Sequence, residues 1–163
     1  NCPNDRYVND EEICKAVAAM LAKVGIKVNL TAETKGTYFP KILSRNTSFY
    51  LLGWTPGTYD SHNPLNALMS TPDPKTGRGQ FNLGGYSNAR VDELTQLIAS
   101  ETDAAKRNAM IREAMKIHQD DIGHIPLHQQ ALAWAMKKSV NTVQLADNFM
   151  MLKWTTVGGK KND

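Results

Sequence analysis

The sequence predicts an α/β fold with a largely parallel sheet, and three observations support that prediction. Helical and strand-like patterns alternate along the chain, which is the order typical of α/β domains. An amphipathic helical pattern at residues 9–25 runs directly into an alternation of apolar and polar residues at 26–31, typical of a strand. Residues 49–52 form a continuous apolar run, typical of a central strand covered on both faces. Together these patterns indicate a mixed sheet flanked by helices.

The first predicted helix, at 9–25, has clear start and stop signals. Asn9 can cap its amino terminus, the first turn is acidic, and Gly25 can end the helix in a left-handed conformation. Its apolar stripe consists of Ile13, Val17, Met20, Leu21 and Val24. A shorter helical stretch at 38–45 leads into the predicted central strand at 49–52.

A long segment rich in Pro, Gly, Asn, Asp, Ser and Thr occupies residues 55–85, with a short helix predicted at 64–70. Loops of this length in compact domains are usually functional. Two amphipathic helices are predicted after it, at 87–100 and 102–122. Further strands are predicted at 125–128, 131–136 and 150–157.

The composition excludes several classes of protein. With 163 residues, 41% hydrophobic and 21% charged, the chain is an ordinary globular sequence rather than a collagen-like, coiled-coil or wholly disordered one. Its apolar runs, such as 16–22, are far shorter than the roughly 20 residues of a membrane-spanning helix. The net charge of +3 comes from basic residues spread along the chain, so no nucleic-acid partner is predicted.

The two cysteines leave two interpretations open. Cys2 and Cys14 are an even pair, but no CxxC or Cys/His spacing surrounds them. Two unpaired thiols are the simpler interpretation. A disulfide formed in an oxidising compartment is the alternative.

Catalytic and metal-binding signatures are weak. The sequence contains no GxSxG, GxxxxGK[ST], HExxH or strand-linked GxGxxG motif, so we predict no enzyme activity. His118, His124 and His128 are close in sequence and superficially resemble a metal site. Gly123 and Pro126 interrupt the helical geometry between them, so we predict no metal and no cofactor.

The strongest candidate site is the segment GWTPGTYDSHN at 53–63, at the end of the predicted central strand. Trp54 offers a flat apolar surface, and hydrogen-bonding side chains follow it. Open α/β sheets bind ligands in the loops at the carboxyl ends of their strands, which favours a ligand cleft here and makes His62 the histidine best placed to contact a ligand. The alternative is that Trp54 and Tyr59 anchor the loop to the core.

Five segments also carry a family resemblance. They are CPNDRYVNDEEI at 2–13, SFYLLGWTPGTYD at 48–60, FNLGGYSNARVDELTQLI at 81–98, ETDAAKRNAMIREAMKIHQDD at 101–121 and IPLHQQ at 125–130. In this order and spacing they resemble the carboxyl-terminal part of the family 5 extracellular solute-binding proteins, which serve dipeptide, oligopeptide and nickel ABC importers. The resemblance extends over residues 1–157.

The resemblance implies a periplasmic-binding-protein-like (type II) lobe, one of two that close around a ligand in the periplasm or at the cell surface. Residues 1–128 would form the second, carboxyl-terminal lobe without the start of its first strand. Residues 129–157 would be return strands of the hinge and the first lobe, and 158–163 a disordered tail. The amino-terminal lobe would be missing, which would leave the return strands free to form a strand-swapped dimer.

The same resemblance implies the site residues. The predicted ligand-binding residues are Trp54, Thr55, Gly57, Tyr59, Asp60, His62 and Asn63. Trp54 matches a family Trp that packs against the ligand. Three residues later, several peptide-binding members carry an Asp that pairs with the ligand's amino terminus, where this chain has Gly57. Asp60 matches a different family position, and Leu51 supplies no Arg for a ligand carboxylate. Unless Asp60 reaches over to it, the free amino terminus of a peptide therefore loses its charge-assisted partner.

The predicted function is capture of a small peptide-like solute and its delivery to the transmembrane subunits of an ABC permease. One alternative is a metal or metal-chelate receptor that uses His62 with Asp60, or the histidines at 118–128. A less favoured alternative is a hydrolase with Asp60, His62 and either Ser61 or Ser87, whose side chains would have to converge in space.

Overall fold

Helices dominate the structure, a computed structural model that describes residues 1–145 and 147–158. The predicted tail at 158–163 lies outside the described residues except for Gly158. The helices are α1 (Asp10–Lys23), α2 (Lys35–Leu43), α3 (His62–Pro64, continued by a π-helical turn at Leu65–Met69), α4 (Ala89–Ser100) and α5 (Ala104–Asp120). Within the described residues, none of the helices is long and apolar enough to cross a membrane.

Three short parallel segments form the beginning of a sheet. Strand β1 (Cys2–Pro3) pairs in parallel with β2 (Ala32–Glu33). On the other side of β1, the Asn1 ammonium donates to the Phe49 carbonyl at 2.6 Å, and the Leu51 N–H donates to the Asn1 carbonyl at 3.2 Å. Two such bonds around one residue are the pattern of parallel pairing. The carboxyl ends of all three segments therefore meet at one edge, with β1 in the middle.

This arrangement is much smaller than the predicted sheet, whose detailed form is not confirmed. The predicted strand at 26–31 does not form, and only Ala32–Glu33 pairs beyond it. In the parallel register that pairs Cys2 with Ala32, residues 26–30 lie upstream of the residues that β1 contacts. An amphipathic alternation can indicate which side chains share a face, but it cannot supply the partner that a strand needs.

The carboxyl-terminal part of the chain forms a separate hairpin. Strands β3 (Val140–Asn141) and β4 (Thr156–Val157) pair antiparallel, and a single bridge joins Gln144 to Met150. The predicted strands at 125–128 and 131–136 do not form, and apolar side chains there are exposed. Of the predicted strand at 150–157, only β4 is a strand, and Leu152–Trp154 form a 3-10 helical turn instead.

The amino-terminal end of α1 differs from the predicted cap. Asn9 adopts a left-handed conformation with φ of 56° and makes no capping hydrogen bond. The buried carboxylate of Asp10 instead accepts the N–H groups of Arg6 and Tyr7 at 3.0 Å each, and that of Glu11 at 2.9 Å. Burial would raise the pKa of Asp10, but these backbone hydrogen bonds outweigh it and lower the pKa. Asp10 thus fixes the turn that follows β1.

The carboxyl-terminal end of α1 forms as predicted. Gly25 has φ of 83°, its N–H donates to the Ala22 carbonyl at 3.1 Å, and the Ile26 N–H donates to the Leu21 carbonyl at 3.0 Å. This is the Schellman arrangement, which favours glycine at the left-handed position.

Cys2 and Cys14 form a disulfide, so the interpretation as free thiols is wrong. The pairing is possible because Cys14 lies one turn into α1, on the face turned towards β1. The two Cα atoms are 6.5 Å apart, within the range that a disulfide spans. The bond ties β1 to α1.

In the part of the chain that the structure describes, buried apolar residues form two clusters. One lies between α4, α5 and the π-helical turn, and its buried members are Leu65, Leu94, Ile98 and Ala114. The other surrounds α2, with buried members Tyr38, Ile42 and Leu83 and with Tyr50 and Leu52 packed against them. Leu65 and Leu83 both belong to the long segment at 55–85, so this segment is held to the body at two points. The helices predicted at 87–100 and 102–122 are present as α4 and α5, capped by Asn88 and Asp103.

Candidate functional site

The candidate site lies where the parallel segments end. The segment at 53–63 leaves the carboxyl end of residues 49–52, next to the turn that follows β1. Tyr7 of that turn directs its hydroxyl at the Gly53 carbonyl, at 3.4 Å. A Cβ on Gly53 would lie 2.7 Å from the Tyr7 ring, so any larger residue would displace the ring. Glycine at position 53 therefore allows the two loops to meet.

Trp54 is anchored on two sides. Its Nε1 donates to Asn63 Oδ1 at 2.8 Å, and its ring packs against Phe81 with centroids 5.1 Å apart. The side chain is nevertheless only half-buried, so part of the indole surface stays open to solvent. Both interpretations of this aromatic residue are thus compatible, because one part of the indole anchors the loop and another can contact a ligand.

Asp60 is already engaged by an ion pair. Its Oδ1 accepts Arg107 Nη2 at 2.8 Å and the His62 backbone N–H at 2.8 Å. The hydrogen bond from Arg107, and after it the one from His62, lowers the pKa of Asp60. Arg107 was not among the predicted site residues. It lies 47 positions away on α5, and no local pattern links it to the loop.

A polar hollow of about 540 Å³ lies beside this ion pair. It is lined by Thr58, Asp60, His62, Asn63, Asn66, Ala99 and Arg107. Its hydroxyl, imidazole, amide and guanidinium groups offer hydrogen bonds to a polar ligand. Of the predicted site residues, the structure brings Trp54, Asp60, His62 and Asn63 together.

The other three predicted residues are on the outer side of the loop. Thr55 and Gly57 are exposed, and no heavy atom lies within 4 Å of a Cβ built on Gly57. Tyr59 adopts a left-handed conformation with φ of 54° and is also exposed. These residues are accessible to a ligand that approaches from solvent.

The geometry required of a hydrolase is not formed by the described residues. Asp60 receives the backbone N–H of His62, and no hydrogen bond there joins the His62 ring to Asp60 or to a serine. The Ser87 hydroxyl is hydrogen-bonded to Thr71 Oγ1 at 2.8 Å. Nucleophilic catalysis needs a base within reach of the nucleophile and an orienting partner for the base.

The histidine-rich region forms a packed cluster. His118 Nε2 and His124 Nδ1 are 2.8 Å apart, the two rings are stacked at 5.0 Å, and Tyr86 contacts His118 edge-on. His118 is 4% exposed, and its Nδ1 has no hydrogen-bond partner among the described residues. Over the described residues, no three His, Cys, Asp or Glu side chains are arranged to hold a metal ion.

Comparison with known proteins gives a consistent picture. Residues 1–76 match the family model described as bacterial extracellular solute-binding proteins, family 5 middle. The uncharacterized lipoprotein Rv2585c of Mycobacterium tuberculosis is 30% identical over 128 residues, which are 78% of this chain and 22% of that protein. Di/tripeptide-binding protein 3 of Pseudomonas aeruginosa is 24% identical over 138 residues, covering 85% of this chain and 25% of that protein.

The oligopeptide-binding protein OppA of Bacillus subtilis is 26% identical over 133 residues, which are 81% of this chain and 23% of that protein. The chain thus spans a quarter or less of the length of these relatives.

Proposed function

Because this chain is a family 5 extracellular solute-binding sequence, we propose that it forms a ligand-capturing part of the substrate-binding component of an ABC importer. The family is one of solute-binding proteins rather than enzymes, and its fold class is the type II periplasmic-binding-like α/β fold. The predicted location, in the periplasm or anchored at the cell surface, is confirmed by the extracellular family. We propose delivery of the bound solute to the transmembrane subunits of a permease.

The observation that carries this proposal is the placement of Trp54. It lies at the carboxyl end of a segment in a parallel arrangement, which is where open α/β sheets bind ligands. Its indole nitrogen is held by Asn63 while part of the ring remains open. A half-buried indole held in this way can pack against a ligand without first having to be ordered.

A peptide-like solute is the proposed ligand class. Two of the relatives carry names for di/tripeptide and oligopeptide binding. Residues 53–63 contain a single carboxylate, that of Asp60. This carboxylate is paired with Arg107. The proposed recognition is therefore packing on Trp54 together with uncharged hydrogen bonds, rather than capture of an amino group by this loop.

A second lobe would complete the cleft. A ligand held between two lobes selects their closed state, because only that state provides both sets of contacts. Residues 125–136 expose apolar side chains such as Leu127 and Leu132. This supports the proposal that 1–128 is one lobe and that 129–157 returns through the hinge to the other.

Replacement of Trp54 tests the proposed function. In the intact protein, Trp54→Ala should weaken binding of a peptide of two to four residues by about 2 kcal/mol, roughly 30-fold in Kd, because a central aromatic contact is lost. Isothermal calorimetry measures this change. The matched control is Trp134→Ala, since Trp134 also donates its Nε1 to an asparagine, Asn148 at 2.6 Å, but outside the segment at 53–63. Equal affinity in the Trp54→Ala variant and the parent protein would remove Trp54 from the site.

Introducing the absent carboxylate tests the proposed recognition. Free and N-acetylated forms of one peptide should bind the parent protein with similar affinity. Gly57→Asp should then favour the free-amine form by about 1.5–3 kcal/mol, because a charge-assisted hydrogen bond becomes available. The structure has room for this side chain and gives Gly57 no positive φ.

Gly36→Asp is the control for this experiment, since Gly36 is equally open but lies on α2. It should leave the ratio of the two affinities unchanged. A strong preference of the parent protein for the free amine would show that another carboxylate recognises the ligand.

A further inference from the structure

We propose that Arg107 is a positioning residue for Trp54 and that it acts through Asp60 and Asn63. The positional part of this proposal stands on the contacts alone. Its consequence for ligand affinity rests on the proposed function.

Arg107 occupies a fixed position because two of its groups are held. Its Nε donates to the Ile98 carbonyl in the last turn of α4 at 3.1 Å, and its Nη2 donates to Asp60 at 2.8 Å. Ile98 is fully buried in the α4–α5 cluster. A planar guanidinium with two fixed donors has little freedom to rotate, so the core sets where Asp60 is held.

Asp60 in turn sets the start of α3. The oxygen that receives Arg107 also accepts the His62 N–H at 2.8 Å, and the Asp60 carbonyl accepts the Asn63 N–H at 3.1 Å. Leu65, two residues after Asn63, is buried in the same cluster as Ile98. Asn63 is therefore held between an ion pair on one side and the core on the other.

The last contact that connects Arg107 to Trp54 is the hydrogen bond from Trp54 Nε1 to Asn63 Oδ1, at 2.8 Å. Phe81 supports the indole by ring packing, and such packing tolerates rotation of the ring in its own plane better than a hydrogen bond does. Asn63 thus defines the direction of the indole. If the Arg107–Asp60 pair is broken, Asn63 gains freedom and Trp54 loses its fixed orientation.

The indole N–H signal of Trp54 in the NMR spectrum of the ligand-free intact protein gives a direct test. The signal is assigned by its loss in Trp54→Phe. Asp60→Ala and Arg107→Gln should each shift this signal and accelerate its exchange with solvent several-fold. Arg107→Lys, which keeps the charge but not the planar pair of donors, should give a smaller shift than Arg107→Gln.

Glu113→Gln is the matched control, because it removes an ion pair of the same 2.8 Å length, Arg90 to Glu113, between α4 and α5 but away from the loop. It should leave the Trp54 signal in place. Asp60→Asn keeps an oxygen that can accept the His62 N–H. If Asp60→Ala does not fold, Asp60→Asn and Arg107→Gln test the proposal instead. An unchanged indole signal in both would overturn the proposal.

Binding of tri-alanine, measured by calorimetry, tests the consequence for affinity. Asn63→Ala should weaken binding about fivefold, the effect of one ordinary hydrogen bond. Asp60→Ala should have a similar effect. The double variant should bind no more weakly than either single variant, because the effects of substitutions in one connected series of contacts do not add. Additive losses would show that Asp60 acts on the ligand independently of Asn63. If tri-alanine does not bind the parent protein, the proposed function fails for this ligand, while the indole signals still decide the positional proposal.

Discussion

Replacing both cysteines by serine should lower the free energy of unfolding by about 3 kcal/mol, the largest stability loss that we expect from a change in the amino-terminal region. The Cys2–Cys14 disulfide closes a short loop, and loops of about this length restrict the unfolded chain by that amount. It also ties β1 to α1, and between them lies the turn that Asp10 fixes. Chemical denaturation of the intact protein in urea measures the change.

Reduction provides the control for this prediction. A reductant should destabilise the parent protein to the level of the Cys2→Ser/Cys14→Ser variant and should leave that variant unaffected. Faster amide exchange is expected first at the start of α1, since the disulfide and Asp10 hold this turn together. If the free energy of unfolding fell by less than about 1 kcal/mol, the disulfide would not be the main restraint on this region. Other contacts of α1 would then restrict the unfolded chain or hold the folded one.

The helices could be predicted from the sequence because their signals are local. Asn88 and Asp103 each accept N–H groups of the first turn beside them, and Gly25 supplies the left-handed residue after α1. Asn9 is the exception, because the turn after β1 curls back and presents its N–H groups to Asp10 instead. That competition depends on the path of the turn, which residue types alone do not determine.

The sheet could not be predicted to the same extent because strand pairing depends on distant residues. The apolar run at 49–52 does lie along β1, but through the two hydrogen bonds around Asn1 rather than in a long ladder. At 26–31 no strand forms, although Val28 and Leu30 are half-buried between exposed neighbours, and only the following Ala32–Glu33 pairs with β1. Periodicity indicates which residues of one strand share a face, whereas a sheet also requires hydrogen bonds to a second strand.

In the candidate site too, residues with local sequence signals could be predicted and residues that depend on distant contacts could not. Trp54 and its neighbours could be recognised because an aromatic residue and several polar ones follow an apolar run. Arg107 could not, since its partner Asp60 is 47 residues away and an arginine on an amphipathic helix usually faces solvent. The contact between Arg107 and Asp60 can be recognised only from the structure, in which α5 lies next to the segment at 53–63.

Lowering the pH should destabilise the protein through His118. Burial, and after it the neighbouring His124, lowers the pKa of His118 to about 4 from an ordinary value of 6.5. The folded state therefore favours the neutral ring, while the unfolded state takes up a proton as the pH falls below 6.5. Stability from this group is fully present above 6.5 and is lost progressively down to about pH 4. The loss amounts to roughly 3 kcal/mol, since each pH unit of difference corresponds to about 1.4 kcal/mol.

The groups around His118 account for the direction of this effect. His124 is stacked on it and also has a lowered pKa because of burial, so a proton on one ring repels a proton on the other. Asp121 opposes the shift, but its carboxylate is engaged by the Tyr86 hydroxyl and the Asn88 amide at 2.8 Å each. Tyr86 meets the His118 ring edge-on and offers it no charge.

A non-titrating residue at position 118 separates this effect from general acid denaturation. His118→Gln should lower stability at pH 7, because the packing against Tyr86 and His124 is disturbed, and should flatten the dependence of the unfolding free energy on pH between 6.5 and 4. The exposed His128 is the matched control, and His128→Gln should preserve the parental slope. Urea denaturation at a series of pH values measures both. If the slope persisted in His118→Gln, the acid sensitivity would have to come from other groups. Burial also lowers the pKa of His124, whereas hydrogen bonds lower the pKa values of Asp10 and Asp60, so these carboxylates would contribute mainly below pH 4.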